Sequence, residues 1–261
     1  MNTSPLRPLI LEPDNKALLQ PFFRTDALLA FDYDGTLAPL VDRASQAVMR
    51  AVTRDLLIAV ANRYPTVVIS GRARHDVLQF LHGVPLLDVV GDHGFEVYGV
   101  PPPQLLNRVQ EWHRLLEQRL ATIEGVSVEN KRYSLSVHFR ASPDPEAAAK
   151  AVHRAASDLD EVRLLGGKSV LNVTLAVAPH KGIALQRLRS RLGDPPAVYV
   201  GDDDTDEDVF ALPPDPRLLC IRVGSSEKSL APFRLVDQFE IDELLRAFLE
   251  GARGRAAGSS A

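Results

Sequence analysis

The sequence holds a single cysteine, Cys220, set in the apolar run Leu218-Leu219-Cys220-Ile221. Without a second thiol, disulfides and thiolate metal sites are excluded, and a reducing cytoplasm is the expected location. No apolar run approaches the roughly 20 residues that cross a bilayer. Leu9-Ile10-Leu11, flanked by prolines and acids, is too short for a signal-peptide core. Neither a membrane span nor a leader is therefore expected. Positive charge is not in excess either, since 30 Lys and Arg stand against 34 Asp and Glu, a net charge of -4. That balance gives no general attraction to nucleic acid or anionic lipid, so any phosphate must be recognised locally. Internal repeats and low-complexity tracts are also missing. The remainder is ordinary: 45% hydrophobic and 25% charged residues fit a soluble globular protein. A length of 261 residues exceeds the usual domain size of about 100–150. One large α/β domain, or a core carrying an inserted cap, is expected.

Apolar runs with strand character occur at Ala27–Phe31, Pro65–Ser70, Leu86–Gly91, Ala197–Gly201 and Leu218–Val223. Helical periodicity separates them at Gln46–Arg63, Arg72–Leu81, Lys181–Leu192 and Ile241–Glu250. Alternating β and α units predict a Rossmann-like parallel sheet covered on both faces. The pattern changes after Pro101-Pro102-Pro103, a stiff linker. An amphipathic helix over Gln104–Glu124 follows, with Leu105, Val109, Trp112, Leu116, Leu120 and Ile123 on one stripe. Such a stripe docks a helix, so Trp112 is expected in a core rather than as a ligand platform. Tyr133–Arg140 alternates with period two, as a strand solvated on one face does. A helix at Asp144–Leu159 and strands at Val162–Leu165 and Ser169–Ala176 complete an insert that reads α-β-β-α-β-β. The expected organisation is a lead-in over residues 1–25, a core over 26–103 and 179–250, an α/β cap over 104–178, and a flexible tail over 251–261.

Chemistry concentrates where these strands end. Leu28-Leu29-Ala30-Phe31 runs into Asp32-Tyr33-Asp34-Gly35-Thr36, two carboxylates one residue apart before a glycine turn. Alternation along a strand aims Asp32 and Asp34 the same way. Two such neighbours repel unless a cation, a proton or hydrogen-bond donors compensate, and a divalent metal is the simplest remedy. Neither acidic cluster is an EF-hand loop: the required glycine and terminal glutamate are Leu37 and Arg43 counting from Asp32, and Glu207 and Pro213 counting from Asp202. Ser70-Gly71-Arg72 places a hydroxyl and backbone amides at a strand end that opens a helix, where phosphate binds. Serine there is equally an ordinary helix cap. The run Asp202-Asp203-Asp204-Thr205-Asp206-Glu207-Asp208 closes another apolar strand. Mg2+ prefers a few carboxylate oxygens with water and substrate phosphate. Asp202, nearest the strand end, is the expected direct ligand, with Asp203 and Asp206 ligating or orienting from behind. A solvated acidic turn is the simpler alternative. Lys181, at a helix start, offers a point charge for a phosphoryl oxygen and an offset to nearby carboxylates.

Together, Asp-x-Asp-Gly-Thr, Ser-Gly-Arg, Lys-Gly and Gly-Asp-Asp-x-Thr-Asp resemble the haloacid dehalogenase superfamily of phosphatases over nearly the whole chain. The resemblance implies that Asp32 attacks phosphorus to form an aspartyl-phosphate, while Asp34 protonates the leaving oxygen and then activates water. It further implies that Ser70 and Lys181 hold the phosphoryl oxygens and that Mg2+ bridges Asp32, the Asp34 backbone carbonyl, Asp202 and the phosphate. A general acid so placed is expected to be buried among negative charges. The insert resembles the cap of the sugar-phosphatase branch. Gly91-Asp92-His93-Gly94-Phe95-Glu96, Glu129-Asn130-Lys131, Ser134, His138-Phe139-Arg140 and Gly166-Gly167-Lys168 resemble the trehalose-6-phosphate phosphatase family. By that resemblance His93, Lys131, Ser134, His138 and Lys168, together with Arg72 and Asn172, are the substrate-side candidates. His138 could equally be a packed strand residue and Lys131 a solvated charge. The chain departs from the family pattern in Arg132-Tyr133, where Gly-Leu is common, and in Asn172, where a glutamate is usual. An amide still bonds hydroxyls but lacks a charged acceptor.

The implied activity is Mg2+-dependent hydrolysis of trehalose 6-phosphate to trehalose and phosphate. The implied partners are a phosphorylated disaccharide and, in the pathway, a trehalose-phosphate synthase, with no nucleic acid and no membrane. Other readings are a phosphatase for another glycosyl phosphate, such as sucrose phosphate or glucosylglycerol phosphate, and a non-catalytic phosphate-binding module. Binding alone would not require the second aspartate. Enclosing a polar sugar would call for cap closure about the connections Pro101–Pro103 and Ala178–His180.

Overall fold

A computed structural model describes residues 7–41, 44–97, 103–131, 133–167, 169–176 and 179–258. Lys168, Arg132 and, of the expected hinge connections, Pro101, Pro102 and Ala178 lie outside them. The chain divides into two compact units, Met1–Gly94 with Lys181–Ala261, and Phe95–His180. The first crossing comes earlier than the expected position 103 because Phe95 already belongs to the second unit's core, where it stacks on Tyr133 with ring centroids 5.8 Å apart.

The first unit opens with α1 (Pro13–Lys16) and a 3-10 turn over Ala17–Phe22, followed by β1 (Leu28–Phe31), α2 (Ala51–Ala61), β2 (Thr66–Ile69), α3 (Arg74–Phe80) and β3 (Asp88–Val90). The second unit supplies α4 (Pro103–Leu120), β4 (Ser127–Asn130), β5 (Leu135–His138), α5 (Pro145–Ser157), β6 (Val162–Gly167) and β7 (Val170–Leu175). The chain then returns with α6 (Lys181–Arg191), β8 (Ala197–Gly201), α7 (Glu207–Phe210), β9 (Leu218–Val223), β10 (Phe233–Leu235) and α8 (Ile241–Gly258).

The first unit's sheet is parallel throughout, in the order β10-β9-β8-β1-β2-β3. All four residues of β1 and of β2 are buried, as strands covered on both faces require. Leu29, Phe31, Val68, Val198 and Val200 join one core with Leu57 and Val60 of α2 and Leu244, Leu245 and Phe248 of α8. Tyr199 points to the opposite face, where its ring meets Phe210 of α7 edge-on. Strand order reverses between β1 and β8, so a crevice is expected beyond their carboxyl ends.

Both ends of the chain depart from expectation. The lead-in is packed: Ile10, Leu19 and Phe22 are core residues, and Ile10 N–H donates to the Arg234 carbonyl, covering the β10 edge. The tail is helical as far as Gly258. Gly251 continues the helix because it packs on Phe23, whose ring atom would lie 2.2 Å from an added Cβ, and Phe23 in turn meets Phe248 edge-on. Helix α2 starts later than Gln46 because Arg50, extended at φ -60°, ψ 146°, is its N-cap.

The second unit is a four-stranded antiparallel sheet, β4-β5-β7-β6. Val109, Trp112, Leu116 and Leu120 of α4 and Val152 and Ala156 of α5 share a core with Leu135, Val137, Leu171 and Val173. Trp112 is a core residue, as its stripe predicts. No described helix is long and apolar enough to cross a membrane.

Candidate active site

Asp32 follows β1, Ser70 follows β2, His93 lies just beyond β3, and Asp202 follows β8. Parallel strands thus deliver all four to one sheet edge. The ladder holds to the end, since Asp32 N–H donates to the Val200 carbonyl at 2.9 Å.

Asp32 is buried, and Lys181 Nζ stands 3.0 Å from its Oδ1. The same ammonium lies 2.7 Å from Asp206 Oδ1. Burial pushes the Asp32 carboxyl well above its usual range; Lys181 opposes this, and Asp206, Asp203 and Asp34 add to it. Burial also disfavours charge on Lys181, yet Asp206 and Asp32 outweigh it and hold the ammonium well above its ordinary pKa.

Among the described residues, oxygens of Asp32, Asp202 and Asp206 come within 4.8 Å of one another. Proximity alone would admit Asp206 as a metal ligand, but its hydrogen bonds give it another task. Oδ1 accepts from Lys181 Nζ and from the Tyr199 hydroxyl at 2.5 Å, and Oδ2 accepts from the backbone N–H of Asp202 at 2.9 Å and of Asp203 at 3.0 Å. All four lone-pair positions are occupied. Asp203 lies outside the converging group, and its Oδ1 accepts from Thr205 N–H and Oγ1. Burial opposes its charge, but Lys181, Thr205 and His93 together lower its pKa. Asp206 and Asp203 are therefore built to shape the loop, which leaves Asp32, paired with Lys181 through one oxygen, and Asp202 as the carboxylates of the group with open acceptor positions.

Their surroundings fit a hard divalent cation. Burial, Asp32, Asp206 and Asp203 push the Asp202 carboxyl well up, which marks uncompensated negative charge. The space is held open by glycine: Gly35 has φ +82°, and a Cβ there would lie 2.0 Å from Asp202 Oδ2. Gly201 likewise leaves room for the Asp206 carboxylate, 2.2 Å from where its Cβ would sit. Thr36 Oγ1 is 3.5 Å from Asp202 Oδ1.

Asp34 is near enough to act on Asp32, but it is not buried and has a cation of its own. Its side chain is 32% exposed, and Arg72 grips it with Nε and Nη2, each at 2.6 Å. Arg72 lies over the rings of Tyr33 and Phe80. With the carboxylate so engaged, its backbone carbonyl is what remains for a metal. Ser70 is fully buried, but it is not the helix cap: α3 starts at Arg74 with Ala73 as its N-cap, and Ser70 Oγ accepts from Arg72 N–H at 3.1 Å. A phosphate here would meet loop amides rather than a helix terminus.

His93 belongs to this edge. Its N–H donates to the Ser70 carbonyl, and its ring lies 2.5 Å from where a Gly71 Cβ would be. Asp92, His93 and Gly94 hold φ of 47°, 56° and 118° in succession. Left-handed backbone at non-glycine residues costs about 1–3 kcal/mol each and collects at functional sites.

The remaining candidates lie in the second unit. β-sheet alternation sets Ser136 and His138 opposite the core-facing Leu135 and Val137. His138 Nε2 pairs with Glu129 Oε2 at 2.9 Å, so it is not a packed strand residue. Ser136 Oγ donates to Asn172 Oδ1 at 2.6 Å across the β5/β7 pair. Ser134 is buried, and its carbonyl accepts from Lys131 N–H. Lys168 is outside the described residues.

Tyr199, Arg222 and Gln238 were not singled out from the sequence. Gln238 Nε2 donates to the carbonyls of Thr36 and Leu37, 202 and 201 positions away, bracing the turn after Asp34. Arg222 carried a visible signal, a charge inside an otherwise apolar parallel strand.

The trehalose-phosphatase family model matches residues 30–215. A trehalose 6-phosphate phosphatase of Zea mays is 33% identical over 257 residues, covering 87% of this chain and 71% of that protein. A probable trehalose-phosphate phosphatase of Oryza sativa subsp. japonica is 32% identical over 251 residues, covering 89% of this chain and 68% of the other. The solved C-terminal domain of C. albicans trehalose-6-phosphate phosphatase matches in fold, with a TM-score of 0.80 at 20% identity over 94% of this chain and 99% of that one. The core with its inserted cap is the haloacid dehalogenase fold, and the chain belongs to the trehalose-phosphatase family.

Proposed function

We propose that the chain hydrolyses trehalose 6-phosphate to trehalose and inorganic phosphate, with Mg2+ as cofactor and Asp32 as nucleophile. The observation that carries this is the convergence of Asp32 and Asp202 beside an ammonium, Lys181, at the ends of β1 and β8. An Asp32 oxygen bonds to phosphorus as the bond from phosphorus to the sugar oxygen breaks, and Asp34 gives that oxygen its proton. Water then attacks the aspartyl-phosphate, Asp34 takes its proton, and phosphate leaves with Asp32 restored. Lys181 and Ser70 flank the phosphoryl oxygens. Asp32, Asp202 and the Asp34 carbonyl would hold Mg2+, which would supply charge neutralisation there. Arg72 bonds each oxygen of Asp34 once, which leaves one lone pair on each to face a leaving oxygen or water.

Sugar recognition falls in this reading to His93, Lys131, Ser134, His138, Lys168 and Asn172, with Arg72 nearer the phosphate. Asn172 Oδ1 is occupied by Ser136, so the amide presents its N–H donors to hydroxyls. A reducing cytoplasm suits Cys220, whose buried thiol is pushed up to about 12. A trehalose-phosphate synthase is the enzyme class that makes such a substrate.

Phosphate release from trehalose 6-phosphate, glucose 6-phosphate, sucrose 6-phosphate and glucosylglycerol phosphate, with Mg2+ or EDTA, tests the assignment. Selective Mg2+-dependent release from trehalose 6-phosphate is expected; turnover of another sugar phosphate alone would overturn the substrate.

Metal should also stabilise the protein in a pH-dependent way. Burial raises the native pKa of Asp32 and Asp202. Stability from a carboxylate raised in the native state is fully present below its unfolded pKa of about 4 and is lost as pH rises through the native value. A cation on the ionised pair offsets that loss. The Tm gain from Mg2+ is therefore expected to be larger at pH 8 than at pH 5, and equal gains in calorimetry at the two pH values would contradict the site.

A further inference from the structure

We propose that Arg222 is a positioning residue for the cation site, fixing where the Asp202 carboxylate stands without touching it. The inference rests on the metal-dependent reading above and names a residue behind the site. Arg222 lies on β9 opposite Gly201, the last residue of β8. Past Gly201 the β8 ladder ends, so the carbonyls of Asp202 and Asp203 lose strand partners while staying close to the interior. Arg222 supplies the missing donors: Nη2 to the Asp202 carbonyl, and Nη1 to the Asp203 carbonyl at 3.3 Å. Nη1 also meets Glu207 Oε1 at 2.8 Å, and Glu207 Oε2 accepts from Leu230 N–H.

The same two residues are held from the other side by Asp206, whose Oδ2 accepts both their N–H groups. Asp202 and Asp203 are thus clamped on the amide side by a buried carboxylate and on the carbonyl side by the guanidinium of an arginine that is only 9% exposed. A clamp of this kind sets the backbone angles from which the Asp202 side chain projects over Gly35. Only a planar fork reaches two carbonyls and a carboxylate at once; an ammonium carries the charge without that geometry.

Mg2+ binding to substrate-free protein, by titration calorimetry and by displacement of Mn2+ followed by electron paramagnetic resonance, is the test. Arg222→Met is expected to weaken Mg2+ binding at least tenfold, with Arg222→Lys between it and the parent. The Mg2+ concentration for half-maximal activity should rise in parallel, while KM for trehalose 6-phosphate at saturating Mg2+ stays within about twofold. If Arg222→Met does not fold, Arg222→Lys decides by the same measurement. Folded variants that bind Mg2+ within twofold of the parent overturn the proposal, as does a parent that binds no Mg2+. A parent that binds Mg2+ through an Arg222-dependent site yet releases no phosphate from the sugar phosphate overturns the functional reading and leaves this one standing.

Discussion

Replacing Asp32 by asparagine is expected to lower phosphate release on the order of 10⁴-fold or more while leaving the fold intact. An amide of the same shape fills the same space but offers no nucleophilic oxygen, and loss of a covalent nucleophile removes the route rather than slowing a step along it. The contrast with Asp34→Asn is informative, because loss of an acid/base group costs about 10²–10⁴-fold. Stability should move the other way. Burial disfavours charge on Asp32, and Asp206, Asp203 and Asp34 add to the repulsion. Asparagine removes that charge, while Lys181 keeps Asp206 at 2.7 Å. In metal-free buffer the variant should melt at or above the parent temperature. Steady-state phosphate release and calorimetry on one preparation check both expectations; a rate within tenfold of the parent would place the nucleophile elsewhere.

The strand ends were legible because their physics is local. A short apolar run stopped by glycine or acid is a buried parallel strand wherever it occurs, and β8 and β9 match their expected bounds, Ala197–Gly201 and Leu218–Val223. Asp32 and Asp202 followed from those ends. The partners of these acids were not legible, because pairing across a parallel sheet leaves no mark at fixed spacing. Arg72 reaches Asp34 over 38 positions and Lys181 reaches Asp206 over 25. Only the pairing shows that Asp34 rests against a cation, and that Asp206 spends its four acceptors on loop and lysine. Composition misled at the chain ends for a related reason. Gly251 and the alanines after it have the look of a tail, yet a glycine is what lets α8 lie against Phe23.

Lys181→Met is expected to destabilise the metal-free protein by about 3–5 kcal/mol, the usual result of removing one member of a buried ion pair. For a unit of this size that is a fall in Tm of roughly 6–20 °C. Lys181 is 1% exposed and carries the positive charge for two buried carboxylates, Asp32 at 3.0 Å and Asp206 at 2.7 Å. Methionine fills most of the volume, so the loss measures charge rather than a cavity. Asp206 keeps the Tyr199 hydroxyl and two N–H donors, which locates the larger part of the penalty in repulsion between the two acids. Two consequences separate this account from a packing defect. Adding Asp32→Asn to Lys181→Met should restore part of the stability, because one of the opposed charges is gone. Mg2+ should restore part of it as well, by replacing the missing positive charge beside Asp32. Denaturant melts of the single and double variants, with and without Mg2+, measure both; if neither recovers stability, the lysine is held by packing alone and the charge triad has no energetic meaning.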